Sequence, residues 1–498
     1  MNTENKRKTP IMGWASWNRF RTDISEERMK KQAEALVSTG LVEYGYEYFN
    51  MDDGFFGGRG EDGKLRFHKT RFPNGIKPIA DYAHSLGLKA GIYSEGGKNT
   101  CAYYWDNEGE NGEGVGLYGY EEQDLKMFLE EFGFDFIKVD WCGGQKLDLD
   151  EEEQYTKIAN IIDDIRNRTE RNIVFNICRW QFPGEWATKI ADSWRTGADI
   201  RPEFESIVYQ IDNIRSLARF TSPGHVNDLD MMQLGNGLSD DEEKSHFAMW
   251  CMMSTPLMIG CDLTTIKDST LEILKNDELI SINQDSACLQ AYVAKEVRDE
   301  DGKVVGEVWI KNLGSDNSSE KAIAFFNRCE KDVDFKIDFS DVGLCGEIIS
   351  ARELWEHKDV NPDEILNVNV KKHCTKVYRV KAEKSIPVEN KDDLDDAIVE
   401  EIKKVSYNDL ENLLSNGAKL IDVRSVEEYE KSHLDGAVNL PYDDSHNIMR
   451  KSNPDKNQKL IVYCSQGKRS MQARNLLTYL GYKDVCILKD HDDFIKIN

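Results

Sequence analysis

The 498-residue chain is poor in positive charge, with 64 Lys and Arg against 90 Asp and Glu and a formal net charge of -26. A surface this acidic repels nucleic-acid phosphates and anionic lipid headgroups, so we expect neither a nucleic acid nor a membrane as partner. No run of about 18 apolar residues is present, and no apolar segment follows the basic first residues. These absences predict a cytoplasmic location.

Metal-ligand and phosphate-binding spacings are also missing. The 11 Cys include no Cys-x-x-Cys pair, and no two of the nine His lie at ligand spacing, which argues against a zinc site. The glycine pairs at 57–58 and 96–97 are not followed by Gly-Lys-Ser/Thr, so they are not predicted to cradle a phosphate. We expect no metal and no cofactor.

The pattern along the chain predicts three folded parts. Over residues 1–290, short β-type runs alternate with amphipathic helical stretches, which predicts an α/β TIM barrel, that is, a (β/α)8 barrel. Residues 291–384 are strand-like with regular turn signals, which is typical of an antiparallel β-sandwich. Residues 385–400 are acidic and suit a linker, and 401–498 alternate again in a small α/β domain.

Two predicted barrel strands end in carboxylates. YFNMDD at 48–53 places Asp52 and Asp53 where they can orient sugar hydroxyls, although a solvated turn would look the same. In FIKVDWC at 136–142, Lys138 and Asp140 lie on one side of a strand. A cation beside a carboxylate keeps the carboxylate ionised, as a nucleophile must be. The same pair is equally consistent with an ordinary salt bridge at the end of a strand.

A third motif, SWRTGADI at 193–200, supplies Arg195 and Asp199. Arg195 can fork to a sugar oxygen or to a carboxylate. A glycosidase needs two carboxyl groups that flank one bond, and Asp140 and Asp199 would come from different strands. The separation that decides the stereochemistry is not readable from the sequence.

These motifs, together with PIMGWASWNRF at 10–20, PGHVNDLDMMQLGN at 223–236 and STPLMIGCDL at 254–263, resemble glycoside hydrolase family 27. That family contains α-galactosidases and α-N-acetylgalactosaminidases. The resemblance covers about 9–384 and implies a retaining exo-α-galactosidase that works by double displacement without a cofactor. The roles that it implies are nucleophile for Asp140, acid/base for Asp199, and substrate binding for Trp17, Asp52, Asp53, Tyr93, Lys138 and Arg195. Cys101 and Cys142 match the family's pocket disulfide, and in a cytoplasmic chain we expect them to be reduced.

Substrate choice is predicted from the segment Cys178, Arg179, Trp180 and Phe182, where the family separates galactose from N-acetylgalactosamine. Arg179 and Phe182 are large, and large side chains exclude an acetamido group, which favours galactose. Arg179 stands where the family usually has Glu, and a long Arg could also swing away or donate to an acetamido oxygen. An α-N-acetylgalactosaminidase and a β-L-arabinopyranosidase therefore stay open.

The last part of the chain resembles a single-domain rhodanese. LIDVR at 420–424 precedes CSQGKRS at 464–470, which matches the family's Cys-x-x-Gly-x-Arg loop. In such a loop, backbone N–H groups together with Lys468 and Arg469 favour a thiolate, so Cys464 is the candidate persulfide carrier with a sulfur donor or acceptor as partner. HDDF at 491–494 departs from the family's usual Gly-Gly before a Trp. An active sulfurtransferase and a docking module are equally supported.

The expected partner of the barrel is a terminal α-galactoside of an oligosaccharide or glycoconjugate. A homo-oligomer is expected because relatives of the family often associate. The contrasting hypothesis is a non-catalytic sugar-binding or regulatory protein on the same barrel. It is less favoured because both candidate catalytic carboxylates and their polar neighbours are present.

Overall fold

The computed structural model describes residues 8–390, 392, 404–442, 457–465, 469–470, 473–474, 477, 482 and 484–489. The chain divides into two compact units, Met1–Asp393 and Leu394–Asn498, each described by itself. Most of the predicted linker lies outside the described residues, as do Lys468 and 491–494. Within the described part of the chain, no helix has both the length and the apolar character needed to cross a membrane.

A parallel barrel forms the larger part of the first unit. Its sheet runs in the order β10-β1-β2-β5-β6-β7-β8-β9, and a parallel bridge between Met232 and Ile259 closes the remaining seam. Strands β3 and β4 form a separate antiparallel hairpin. The strands are β1 (Met12–Ala15), β2 (Tyr48–Met51), β3 (Phe56–Arg59), β4 (Leu65–Phe67), β5 (Lys89–Glu95), β6 (Phe136–Asp140), β7 (Val174–Ile177), β8 (Ser193–Arg195), β9 (Val226–Asp228) and β10 (Leu257–Ile259).

Helices connect these strands. They are α1 (Trp17–Phe20), α2 (Glu26–Ser38), α3 (Lys77–Ser85), α4 (Cys101–Trp105), α5 (Glu121–Leu125), α6 (Cys142–Lys146), α7 (Glu151–Thr169), α8 (Ala187–Ile190), α9 (Phe204–Ile214), α10 (Asp240–Met252), α11 (Asp268–Leu274) and α12 (Asp277–Asn283). A π-helical turn, Lys126–Glu131, continues α5.

Local sequence explains where these helices begin and which face they bury. At α2 the Ser25 hydroxyl accepts the Arg28 N–H at 3.2 Å, and Met29, Ala33 and Leu36 form a buried stripe at helical spacing. At α10, Ser239 and Glu242 form a reciprocal capping box. The apolar segment 249–253, at the C-terminal end of this helix, is fully buried inside the unit.

An antiparallel β-sandwich follows the barrel. Its larger sheet has the order β11-β12-β13-β18-β15-β16, and β14 pairs with β17. The bounds are β11 (Tyr292–Arg298), β12 (Val304–Asn312), β13 (Glu320–Asn327), β14 (Val333–Lys336), β15 (Leu344–Glu353), β16 (Lys358–Asp359), β17 (Asn367–Val370) and β18 (Thr375–Ser385). Alternating residues such as Ile323, Phe325 and Phe335 fill its core.

Buried ion pairs attach the sandwich to the barrel. Glu307 of β12 is fully buried and accepts from Arg215, which follows α9, at 2.6 Å, and from Arg328 at 2.5 Å. Arg328 also pairs with Asp212 of α9 at 2.5 Å. A buried charge left without its partner is costly, so this network fixes the contact between the two domains.

The second unit is a small α/β domain with a parallel sheet in the order β19-β23-β22-β20-β21. Its strands are β19 (Lys404–Ser406), β20 (Lys419–Asp422), β21 (Ala437–Asn439), β22 (Leu460–Tyr463) and β23 (Val485–Lys489), and its helices include α13 (Leu410–Ser415) and α14 (Val426–Lys431). The predicted fold class, a barrel, a sandwich and a small α/β domain, is therefore confirmed.

Candidate active site

The carboxyl ends of the barrel strands bring most of the predicted site residues together. A small cavity inside the barrel is lined by Asp52, Tyr93, Lys138 and Arg195, and also by Asp230, which the sequence analysis did not single out. These five side chains come from the residue after β2, from β5, β6 and β8, and from the segment after β9. Their convergence is the arrangement in which barrel enzymes place their chemistry.

Asp140 is the last residue of β6 and is buried. Its Oδ1 accepts the Trp141 N–H at 3.0 Å. Burial raises the pKa of Asp140 to about 6, and the nearby Lys138 charge limits that rise. The carboxylate is therefore ionised at neutral pH and is available as a nucleophile.

Lys138 forms its ion pair with Asp52 and not with Asp140, the carboxylate two residues away in the sequence. Its Nζ lies 2.8 Å from Asp52 Oδ2, across the sheet, in a nearly buried ion pair. Burial disfavours its ammonium, but the charges of Asp52, Cys178 and Asp140 outweigh this and keep its pKa well above the usual value. Lys138 thus bonds Asp52 and acts on Asp140 through its charge.

Asp53 and Tyr93 form the adjoining wall. Asp53 accepts the Gly54 N–H at 2.8 Å and the Ala102 N–H at 3.1 Å. Burial is the main cause that raises the pKa of Asp53 to about 7. The Tyr93 hydroxyl accepts the Cys101 N–H at 3.3 Å, and burial together with the Asp140 charge raises its pKa well above the usual value. Tyr93 therefore stays a neutral hydroxyl that can donate.

Asp199, the candidate acid/base, lies on the loop after β8 with about a third of its side chain exposed. Arg195 Nη2 is 3.4 Å from Asp199 Oδ1 but only 2.8 Å from Asp230 Oδ2. Asp230 also accepts the Ile200 N–H at 2.8 Å, which fixes the residue after Asp199. Asp230 is therefore the closer partner of Arg195, and Asp199 has the longer contact.

Cys101 and Cys142 are joined in a disulfide, with Cα atoms 5.3 Å apart, a separation that suits such a bond. The expected reduced pair is therefore wrong for this structure. Trp180 packs against the disulfide. Both sulfurs, Glu95 and Asp140 offer atoms within 4.8 Å of one another, but sulfurs bonded to each other are not thiolate ligands for a metal.

The segment after β7 holds Arg179 in one place. Arg179 is buried, and its Nε lies 2.8 and 2.7 Å from the two carboxylate oxygens of Glu151, the first residue of α7. Cys178 lies 3.8 Å from Arg195 through its sulfur. Phe182 packs on Phe220 with ring centroids 4.7 Å apart. The alternative in which Arg179 swings away is disfavoured, because that motion would break a nearly buried ion pair.

Trp17 begins α1 directly after β1 and is half-buried. Its ring packs against a buried cluster inside the barrel, and the Arg21 guanidinium lies 4.8 Å from its centroid. Its predicted contact with the apolar face of a sugar stays a prediction.

The second unit contains the other candidate residue. Cys464 is buried at the end of β22, and its sulfur accepts the Ser470 N–H at 3.3 Å. Arg469, expected to favour a thiolate at Cys464, is bonded to Glu428 at 2.5 Å. Asp422 and Arg424 form a buried pair at 2.6 Å.

A parallel barrel that brings Asp52, Asp140 and Asp199 close enough to interact electrostatically at the carboxyl ends of its strands has the arrangement of a barrel-type glycoside hydrolase. The alpha galactosidase A family matches residues 9–285, and the alpha galactosidase C-terminal beta sandwich domain matches 306–380. The chain belongs to the α-galactosidase family. The rhodanese-like domain family matches 406–491.

Curated and solved relatives agree with this family. The alpha-galactosidase of Oryza sativa subsp. japonica is 36% identical over 376 residues, 74% of this chain and 84% of that protein. Alpha-galactosidase A of Cellvibrio japonicus is 34% identical over 401 residues, 76% of this chain and 93% of that protein. The structure of an α-galactosidase from Saccharomyces cerevisiae with raffinose has a TM-score of 0.62 at 25% identity and covers 75% of this chain and 97% of that one.

Proposed function

We propose that the first unit is a retaining exo-glycosidase that hydrolyses terminal α-D-galactosides. The observation that carries the proposal is the Asp140 carboxylate, buried at a strand end beside a cationic Lys138 and in the electrostatic reach of Asp199. Names of the relatives support galactosides as the substrate class, because they are called α-galactosidases and one was solved with raffinose.

The reaction proceeds in two displacements. Asp140 attacks the anomeric carbon while Asp199 gives its proton to the leaving glycosidic oxygen, so the C–O bond to the aglycone breaks as the ester to Asp140 forms. Water then attacks the same carbon, gives a proton to Asp199 and releases Asp140 as a carboxylate. Two inversions leave the configuration retained.

The remaining polar residues bind and orient the sugar. Asp52 accepts a hydrogen bond from one hydroxyl of the sugar ring, and Lys138 donates a hydrogen bond to another. Asp53 and Tyr93 bind neighbouring hydroxyls. Trp17 covers the apolar face of the ring. Cys178, Trp180 and Arg195 complete the walls.

The ring's 2-position faces the segment that carries Arg179. The Arg179–Glu151 pair at 2.7 Å supports exclusion of an acetamido group, so galactosides are preferred over N-acetylgalactosaminides. β-L-Arabinopyranosides share the ring stereochemistry and are the second substrate to test, since they lack only the hydroxymethyl group.

Azide rescue separates the two carboxylate roles. With an activated aryl α-galactoside, Asp140→Gly plus azide is expected to give the β-galactosyl azide, and Asp199→Gly plus azide the α-galactosyl azide. Asp62→Asn, at an exposed pair with Arg66, is the matched control and should keep wild-type turnover. The same azide anomer from both variants would refute the assignment. Binding of galactose without turnover by the wild type would favour the sugar-binding alternative.

For the second unit we propose sulfur transfer through Cys464, with a docking module as the alternative. The thiolate attacks the sulfane sulfur of thiosulfate and releases sulfite, and cyanide then removes that sulfur as thiocyanate. Thiocyanate release by the wild type but not by Cys464→Ser, with galactoside cleavage equal in both, supports sulfur transfer. No thiocyanate from either protein leaves the docking role.

The domain boundaries, a homo-oligomer and a cytoplasmic location stay predictions. Limited proteolysis, light scattering and cell fractionation test them in turn. The Cys101–Cys142 disulfide favours an oxidising compartment and therefore argues against the predicted cytoplasmic location.

A further inference from the structure

Glu95 is a buried carboxyl group that the proposed reaction does not use. It is the last residue of β5 and lies directly opposite Asp140 of β6 in the parallel register. Its exposed fraction is 0%. An acidic side chain this deeply buried next to a nucleophile requires an account of its charge.

One oxygen of Glu95 binds two glycine turns together. Oε1 accepts the Gly97 N–H at 2.9 Å and the Gly144 N–H at 3.2 Å. The turns touch so closely that a Cβ on Gly97 would lie 2.0 Å from backbone atoms of Gly143 and Gly144. The carboxyl group thus links the turn after β5 to the start of α6, which follows Asp140.

The second oxygen, Oε2, is buried and has no hydrogen-bond partner within the part of the chain that the structure describes. Carboxyl oxygens of Glu95 and Asp140 lie within 4.8 Å of each other. Besides Asp140, the titratable groups that interact electrostatically with Glu95 include the hydroxyls of Tyr93, Tyr104 and Tyr155, and none of these is basic.

We propose that Glu95 is a positioning residue that keeps its proton throughout catalysis, so that the single negative charge of this carboxyl pair resides on Asp140. Two carboxyl groups this close in a water-poor site do not both ionise readily. Asp140 has the Lys138 charge and the Trp141 N–H to stabilise it, whereas Glu95 has no cation among the groups named above.

The electrostatics of the pair agree with this division. Burial raises the pKa of Glu95 well above its usual value, and the Asp140 charge raises it further. The protonated group still accepts both glycine N–H groups through Oε1, so holding the turns does not require a charge. The consequence for catalysis rests on the proposed function, because it needs Asp140 to be the nucleophile, whereas the location of the proton does not.

Infrared difference spectroscopy on the full chain tests the proton directly. Subtracting the spectrum of Glu95→Gln from that of the wild type at neutral pH should show the C=O stretch of a protonated carboxylic acid. Asp140→Asn removes the neighbouring charge, so the pH at which that band disappears should fall by about one unit or more. A lost carboxylate band in place of the acid band, or a titration that Asp140→Asn does not move, would overturn the proposal.

The pH profile of kcat/KM is the second readout, because a purely structural role of Glu95 would not determine where its acidic limb lies. Glu95→Gln keeps a neutral group with an accepting oxygen, so the acidic limb of kcat/KM should stay within about 0.3 pH units of the wild type. If Glu95 were ionised, losing its charge would move that limb to lower pH by about one unit or more. Thermal unfolding shows whether the variant is folded. If it is not, the acid band is read from the difference between wild-type spectra at two pH values, and its response to Asp140→Asn decides alone.

The two proposals can fail separately. An acid band with no galactoside cleavage leaves the protonated Glu95 standing and refutes the proposed function. Cleavage with a carboxylate band refutes only the protonated Glu95.

Discussion

Replacing Lys138 by Met is the most direct test of how the site keeps its nucleophile ionised. The structure gives Lys138 an ion pair with Asp52 at 2.8 Å and a charge effect that lowers the pKa of Asp140. Residues two apart on a strand are spaced by about 7 Å, and two unit charges at that separation interact by about 2.4 kcal/mol at an effective dielectric of about 20, which is about 1.7 pH units.

The direction of the effect follows from which form of Asp140 reacts. The pKa of Asp140 is raised to about 6, so its reactive carboxylate form predominates above that pH and is lost as the pH falls through it. Without the ammonium, the pKa rises further and the acidic limb of kcat/KM should move up by one to two pH units, as estimated above, at about the same slope.

The assay is the pH dependence of kcat/KM for an activated aryl α-galactoside, chosen so that slow variants remain measurable. Lys138→Arg keeps the positive charge and is the matched control, with a limb close to that of the wild type. A Lys138→Met enzyme that turns over with an unmoved limb would refute the reasoning. It would mean that Lys138 serves only to hold Asp52.

Three further predictions concern stability and specificity. Arg328→Leu removes one partner of the buried Glu307 and should lower the free energy of unfolding, measured in urea, by about 3 to 5 kcal/mol. The control Arg379→Leu breaks an exposed pair with Glu320 and should lower it by under about 1 kcal/mol. Equal losses in the two variants would contradict the role of the buried network. Reducing the disulfide opens a 41-residue separation and should cost about 4 kcal/mol by the same measurement, and an unchanged urea midpoint would contradict it. Glu151→Gln releases Arg179 and should lower the galactoside-to-N-acetylgalactosaminide ratio of kcat/KM by about five- to tenfold; an unchanged ratio in an active enzyme would refute that role.

Local patterns were enough to predict much of the fold. The apolar run at 48–51 forms β2, and the amphipathic stretch 26–38 forms α2, since Ser25 caps it and its apolar residues repeat at helical spacing. The π-helical turn after α5 has no comparable signal, because its sequence continues an ordinary amphipathic pattern.

Contacts between distant residues were harder to predict. Lys138 is two residues from Asp140 but bonds to Asp52, 86 positions away, which depends on the order of strands in the sheet. Glu95 ends the apolar strand β5, and Asp230 lies two residues after β9, so each is an acidic residue at a strand end, which is the pattern that indicated Asp52 and Asp140. The glycine pair directly after Glu95 is typical of a loop, so this position did not indicate a buried carboxyl group.

The disulfide shows a different limit. A pairing of Cys101 with Cys142 was implied by family resemblance, but its oxidation state was inferred from a cytoplasmic location, which is a property of the compartment. Geometry decides only whether the sulfurs can meet, and here they do.

The close packing of Gly97 against Gly143 and Gly144 has a consequence for engineering the protein. Because the backbones touch, a side chain cannot be added at Gly97 in the loop after β5, or at Gly143 in α6 after β6, unless the other segment moves with it. A library aimed at new substrates would have to vary both segments together or leave both untouched.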